Sequence, residues 1–414
     1  MSEETTEAAT VDETKAVAPA PDVPPVVVRR QSLATRMGVC DMRVGVGATA
    51  QLGEALRGVV GKPRRVLVAH SANVPADVVE EARRSLVDTG FGFCSLELAD
   101  GRAARNLDEA THAFEALASH GITADDAIVA VGDADLISTL VFVASTWCAG
   151  TVLAAVPTTL DGMVDVTVTP RALDVSAASE MLLAKGVVRL AVCDPANLPD
   201  APDDPGTLMG RAVLVAGAVT AGETTFSELA VRADGIVAQD ADTLVDEVLD
   251  ITKSRCRVAS STALAVRQGL LYGMGFARAI SRCLDVVEAA GDASALQDAP
   301  GEGRLLAEGL RIAARLAVAH QEKDAEALLD LVFAQDALLE EFGLAEVPCD
   351  LDADDVLAAL RAEELSRSNR FMPALPLDYG RVRLTNVPDD LLHQHLKAWC
   401  KARRKLSRHQ PPTA

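Results

Sequence analysis

The sequence predicts an α/β domain followed by an all-α domain: a Rossmann-like parallel sheet over residues 26–198, a linker at 199–206 and a helical region at 207–414. Three observations carry this reading. Between residues 64 and 193, short apolar runs alternate with amphipathic segments of helical period, as in a parallel sheet with crossover helices. The stretch Pro199-Asp200-Ala201-Pro202-Asp203-Asp204-Pro205 suits neither a helix interior nor a central strand. Beyond it the apolar residues recur with helical spacing almost throughout.

In chain order, residues 1–25 combine acidic residues (Glu3, Glu4, Glu7) with a Pro-rich end (Pro19, Pro21, Pro24, Pro25) and read as a disordered tail. They have neither the basic start nor the apolar run of a signal peptide. Val66–Ala69 reads as a strand. Pro75 opens a helix through Val87, with Val78, Val79, Ala82 and Leu86 on one face and Gly90 as its stop. Phe93–Leu98 is the next strand. Asn106 starts a helix, with Glu109 at capping-box spacing and Gly121 as terminator. Ile128–Val131, a helix from Leu136 to Cys148, Val152–Val156 and a strand at Val187–Cys193 complete the sheet domain. The second domain reads as helices at Leu208–Ala221, Ala241–Ala259, Leu264–Ala290, Gly303–Ala319, Ala325–Phe342 and Leu391–Leu406.

Composition narrows the functional classes. Lys and Arg number 39 against 60 Asp and Glu, a formal charge of −21, so nucleic acid and anionic membranes would repel the molecule. Aromatic residues are 3%, which leaves no stacking platform for bases. The eight cysteines are dispersed, with no CxxC pair, and read as reduced thiols of a cytoplasmic protein. No apolar run approaches a membrane span, and the most apolar helix is interrupted by Arg211. Histidine is scarce: between His120 and His320 there is none.

Val156-Pro157-Thr158-Thr159-Leu160, followed by Val164-Asp165 and Val168, closely resembles the "VPTTLLAQVDSSVGG" stretch of the 3-dehydroquinate synthase family. Asp100-Gly101 with Arg105 and Leu107 resembles "DGE..K.L", and Phe142–Trp147 with Gly150 resembles "FVAATYMRG". Gly273 and Phe276 with Ala279-Ile280 match "GHTFGHAI", Gly303 and Gly309 match the glycines of "HGEAVAIGM", and Arg370-Phe371, Leu375-Pro376 and Gly380 resemble "RFVLP..IG". The likeness covers about residues 40–400. It implies a dehydroquinate synthase-like fold, with the active site between a nucleotide domain and a helical metal domain, and by family analogy a homodimer. It also implies cyclisation of a seven-carbon sugar phosphate in the shikimate pathway, with NAD and a divalent metal, usually zinc.

Carried over residue by residue, the resemblance places Gly132, Thr158, Thr159 and Asp165 at the cofactor and Arg171, Arg267 and Arg278 at the substrate. The family's three-glycine loop reads Gly132-Asp133-Ala134 here, and Asp133 is predicted to cap the following helix, putting a carboxylate where phosphates would lie. Thr158 and Thr159 either face the cofactor or satisfy a turn. The three metal-ligand positions read Val213, Met274 and Glu302. Valine cannot coordinate, a thioether suits neither zinc nor magnesium, and no metal residue is assigned. His320, His393 and His395 do not rebuild the site. Family lysines become Arg171 and Ala216, the "KN" pair falls near Glu180-Met181, the second histidine of "HTFGH" becomes Arg278, the "DKK" segment falls near Glu363-Glu364, and the acidic residue of the glycine-loop helix becomes Ser138. Three readings stay open: a working 3-dehydroquinate synthase; a non-catalytic homologue that binds, regulates or assembles, which is preferred; and a different small-molecule enzyme on the same scaffold.

Overall fold

The computed structural model describes residues 27–62, 64–175, 178–289, 300–321 and 325–409; the tail predicted over residues 1–25 lies outside them. The first part of the chain runs β1 (Arg29–Thr35), β2 (Gly38–Val44), α1 (Leu52–Val60), β3 (Arg65–Ser71), α2 (Ala76–Asp88), β4 (Gly92–Leu98), α3 (Leu107–Ser119), β5 (Ala127–Gly132), α4 (Ala134–Thr146), β6 (Val152–Pro157), β7 (Leu173–Val175), β8 (Ala178–Leu182) and β9 (Leu190–Cys193). Seven strands form one sheet in the order β1-β2-β9-β6-β5-β3-β4, antiparallel only at β1–β2, while β7 and β8 pair as a separate hairpin. The chain moves outward from β3 to β4 and returns to β5 on the other side of β3. That reversal opens a crevice at the carboxyl ends of the strands.

Strand period 2 splits the sheet into two cores. Val66, Val68, Val129, Val131, Ala154 and Val156 face α1 and α2 through Leu52, Leu56, Val78, Ala82 and Leu86. Leu67, Ala69, Ile128, Ala130, Leu153 and Ala155 face the other way, in an apolar core that continues into the helical half. All six positions of β5 are buried, as expected of a strand covered on both faces.

The helical half comprises α5 (Pro205–Ala221), α6 (Glu223–Val231), α7 (Ala233–Val237), α8 (Ala241–Ser260), α9 (Leu264–Arg267), α10 (Met274–Ala289), α11 (Glu302–His320), α12 (Ala325–Glu341), α13 (Ala353–Arg367) and α14 (Asp389–His409), with a hairpin of β10 (Ala374–Asp378) and β11 (Arg381–Leu384) before α14. No helix among the described residues is long and apolar enough to cross a membrane. Arg211, which interrupts the apolar α5, is buried and donates to the carbonyls of Pro202, Phe342 and Val237. All eight cysteines are unpaired.

Several local expectations are revised. Glu109 does not close a capping box: Asn106 caps α3 alone, and the Glu109 carboxylate accepts from the Ala99 N–H. Pro205 is the first residue of α5, with Asp204 as its cap, because proline fits a position whose N–H has no helical partner. The single helix expected over Leu264–Ala290 is broken at Gly273, whose φ is +76°. A Cβ there would lie 2.9 Å from the backbone nitrogen of Leu310, so the break lets α11 approach. The last strand is confined to Leu190–Cys193, and the β7–β8 and β10–β11 hairpins, α6 and α13 went unread because each is short or weakly patterned.

The glycines of α11 set the helix spacing. A Cβ on Gly303 would sit 2.5 Å from the nitrogen of Met209, and one on Gly309 would sit 2.1 Å from the carbonyl oxygen of Gly273. Beside them Glu308 is fully buried, accepting from the Val347 N–H, Trp399 Nε1 and Arg403. Gly309→Ala is expected to lower stability in urea unfolding by about 1–3 kcal/mol through overpacking. Gly58→Ala in α1, where nothing lies within 4 Å of the added Cβ, is expected to raise it by about 0.5–1 kcal/mol.

Candidate functional site in the interdomain cleft

Two adjoining cavities open where the carboxyl ends of the strands meet the helical half. The larger, about 830 Å³, is floored by Ser71, Asp133, Thr158 and Thr159 and roofed by Gly206 and Met209 of α5 and Glu302 of α11. The smaller, about 390 Å³, lies beyond Arg102 and Glu302 among β8, α10, α11 and α13.

At the larger cavity, Asp133 ends the loop after β5. Its carboxylate accepts from the N–H groups of Asp135 and Leu136 at 2.9 and 2.8 Å, and from that of Gly101 at 2.8 Å. The predicted cap is therefore in place, and it uses the donors through which a helix N-terminus would hold a phosphate. Burial pushes its carboxyl up to about 6, with the N–H donors opposing and Asp135 adding to the rise. Eight carboxylates line this cavity, Asp77, Asp100, Asp161 and Asp204 among them, against two arginines, Arg102 and Arg171.

Both arginines are already engaged. Arg171 donates to Asp161 at 2.6 Å and to Asp135 at 3.3 Å, and lies 3.8 Å from Asp165 and 3.9 Å from Glu302. Desolvation opposes its charge, but these carboxylates outweigh it and hold the guanidinium protonated. Residues Gly162–Val166 wind as a short π-helix, which carries Asp165 to within 2.5 Å of Arg255 on α8. Arg105, 1% exposed, reaches Asp135 at 3.1 Å and Glu180 at 3.3 Å. Glu180 in turn accepts from Arg278 of α10 at 2.6 Å. Glu302 touches Arg102, Arg105 and Arg171 at 3.9–4.0 Å.

The network thus gathers Arg171, Arg278 and Asp165 of the predicted site residues, with Gly132, Thr158 and Thr159 at its edge. Thr158 donates its N–H to the Gly132 carbonyl, and the Thr159 hydroxyl accepts from the Gly162 N–H, so both serve the turn while lining the cavity. Arg267 stands apart: it donates to the carbonyls of Ser261 and Thr262 and lines neither cavity. Sequence reasoning missed Asp135, Asp161 and Arg255. Asp161 adjoins the quoted motif, but nothing local marks Arg255, which meets its partner only through the fold.

The residues do not fit the groups that the resemblance implies. Asp133 already takes the N–H groups at the head of α4 through which a dinucleotide's phosphate would be held, within a carboxylate-lined wall. At the metal-ligand positions, Val213 is buried in α5, Met274 lies on the wall of the smaller cavity, and Glu302 faces three arginines. Among the described residues no group of three or more His, Cys, Asp or Glu could hold a metal ion.

Asp133 also makes a pH prediction. A carboxyl raised to about 6 in the fold binds its proton more tightly there than in the unfolded chain, so its contribution to stability is present at low pH and lost as pH rises through about 6. Asp133→Asn keeps an oxygen for the cap and removes the charge. It is expected to flatten the dependence of unfolding free energy on pH between about 4 and 7, measured by urea titrations across that range.

Comparisons with known proteins agree with the architecture. Residues 95–198 match the family model for the 3-dehydroquinate synthase N-terminal region. A 3-dehydroquinate synthase of Symbiobacterium thermophilum is 26% identical over 358 residues, covering 86% of this chain and 96% of that one. One of Nocardia farcinica is 33% identical over 125 residues, 30% of this chain and about a third (33%) of that relative's length. Among solved structures, 2-deoxy-scyllo-inosose synthase, complexed with carbaglucose-6-phosphate, NAD+ and Co2+, superposes with a TM-score of 0.73 at 17% identity, over 89% of this chain and 100% of that one. The 2-epi-5-epi-valiolone synthase of Streptomyces hygroscopicus, with NAD+ and Zn2+ bound, gives 0.71 at 15% identity, over 87% and 97%. With its split sheet-and-helix plan, its interdomain cleft and these matches, the chain has a dehydroquinate synthase-like fold, and its residues 95–198 are similar to the N-terminal region of that family.

Proposed function

We propose that this protein keeps the 3-dehydroquinate synthase scaffold without its NAD- and metal-dependent cyclisation, and acts as a non-catalytic binding or regulatory homologue. The observation that carries the reading is the Asp133 carboxylate on the N–H groups at the head of α4. A pyrophosphate would have to displace it and enter a wall of eight carboxylates. The changes at Val213 and Met274 support the same reading, because oxidation and elimination in this family depend on the metal those positions would ligate. The cleft arginines are matched by carboxylates of the same chain, which leaves little positive charge for a sugar phosphate. The unpaired cysteines fit a cytoplasmic setting, and family analogy supports a homodimer.

A second reading, a different small-molecule enzyme, is favoured only by the persistence of the 390 Å³ cavity beside Arg278. The full chain, expressed in a strain that requires aromatic amino acids, is expected not to restore growth. The purified protein is expected to carry sub-stoichiometric zinc and to show no saturable heat with NAD. Growth, or one tightly held zinc per chain, would overturn the proposal.

A further inference from the structure

We propose that the 830 Å³ cavity binds an organic amine carrying two or more ammonium groups. The inference rests on the reading that NAD and metal do not take this cleft, and it names the chemical class that does. Charge carries the first step. Of the eight carboxylates on the wall, Asp135, Asp161 and Glu302 face Arg171. Arg102, the other arginine there, lies 3.2 Å from Asp174 and 4.0 Å from Glu302. The remaining carboxylates, Asp77, Asp100, Asp133, Asp200 and Asp204, form no ion pair among the described residues. A concave wall of low dielectric concentrates the field of such unbalanced charge and draws cations to it. Asp133 registers the imbalance: burial, with Asp135 and Asp100 adding, pushes its carboxyl up to about 6 against its N–H donors.

Uncommitted polar groups on the floor point to a ligand independently of that charge. Ser71 is 1% exposed and Thr158 is 7% exposed. Both line the cavity, and neither hydroxyl makes a hydrogen bond among the described residues. Asn197, also buried on this wall, donates its Nδ2 to Thr49, and its Oδ1 has no partner among the described residues. Buried polar groups are ordinarily hydrogen-bonded, so these oxygens call for donors that the chain does not supply. An ammonium supplies them, since its N–H groups serve hydroxyl, amide and carboxylate oxygens alike.

The placement of the charges selects an extended organic cation over a metal ion. The carboxylates without an ion pair stand on separate segments: Asp77 on α2, Asp100 after β4, Asp133 after β5, Asp200 in the linker and Asp204 at the head of α5. Among the described residues no group of three or more His, Cys, Asp or Glu could hold a metal ion. Amines spaced along a chain or round a ring reach carboxylates on opposite walls that a single ion cannot. A cavity of 830 Å³ is of the size that takes such a molecule whole.

Spermidine and, in parallel, diaminocyclohexane are titrated calorimetrically into the full-length protein, with magnesium chloride as the bare-ion control. Saturable binding of one amine per chain is expected, tighter than Mg2+ by about tenfold or more because several charges engage at once. The tighter of the two amines tells a linear ligand from a cyclic one. D77N/D200N removes one exposed carboxylate from the sheet side and one from the linker side, and is expected to weaken that amine by about tenfold. D88N/D125N makes the same change in charge at the end of α2 and just before β5, away from the cavity, and is expected to leave the affinity unchanged. S71A/T158V keeps every charge, removes the two floor hydroxyls and is expected to weaken binding by about fivefold. No saturable heat with either amine would overturn the proposal, as would an equal loss in D88N/D125N, or full affinity in both D77N/D200N and S71A/T158V. Saturable NAD binding without amine binding sinks the underlying reading as well, whereas silence with both NAD and amine sinks this inference alone.

Discussion

Arg171 lies almost wholly out of water among Asp135, Asp161 and Asp165, and the rest of the cleft follows from that burial. A guanidinium cannot shed its proton to escape desolvation, so the fold must surround it with carboxylates. Those carboxylates are themselves buried and need further cations. Asp135 recruits Arg105, Asp165 recruits Arg255 from α8, and Arg105 meets Glu180, which reaches Arg278 on α10. The chain of pairs crosses between the halves at three places, through Asp165, Glu180 and Glu302. Removing one of its buried members, such as Asp161 or Arg105, would strand a buried charge at a cost of about 3–5 kcal/mol, so this cleft is stable when filled by its own side chains.

The same cleft explains how the likeness to 3-dehydroquinate synthases and the changed residues at the ligand positions coexist. The matched residues that recur are largely those that pack. Gly303 and Gly309 admit backbone contacts closer than any Cβ allows, and Gly273 breaks a helix to receive α11. A side chain at these positions would force the helices apart, whatever the protein does. The ligand positions carry no such packing demand. Valine at 213 joins the apolar core, and methionine at 274 fills the wall of a cavity without disturbing the scaffold. Two physical demands, close approach of helices and provision of charge, have separated along one sequence.

Much of the fold was legible before the structure. The unbroken apolar runs at Val66–Ala69 and Ile128–Val131 and the helical spacing and punctuation of α2 and α3 are local patterns, and each produced the element expected. Asp133 was readable as a cap because capping needs only the next three residues, and the structure places its carboxylate there. The capping box at Glu109 failed for a tertiary reason: the carboxylate found a better donor in Ala99, at the end of the neighbouring strand. The helix over Leu264–Ala290 failed similarly, since apolar period runs straight through Gly273 and only the approach of α11 demands the break. Of the site, Arg171, Arg278 and Asp165 were found by their place in motifs, while Arg267 has the same charge and a comparable motif but is spent on nearby carbonyls.

By itself the sequence determined the two-part architecture, the self-capped helix after β5 and the lack of histidines between His120 and His320. Each of these rests on residue identity or on interactions within a turn of chain. Only the tertiary structure decided that the cleft arginines are neutralised from within. Arg278 and Glu180 are 98 positions apart, and Arg255 and Thr169, beside Asp165, are 86 apart. Ion pairing acts over a few ångströms of space, and the distance between such residues is set by how the sheet and helices close on one another.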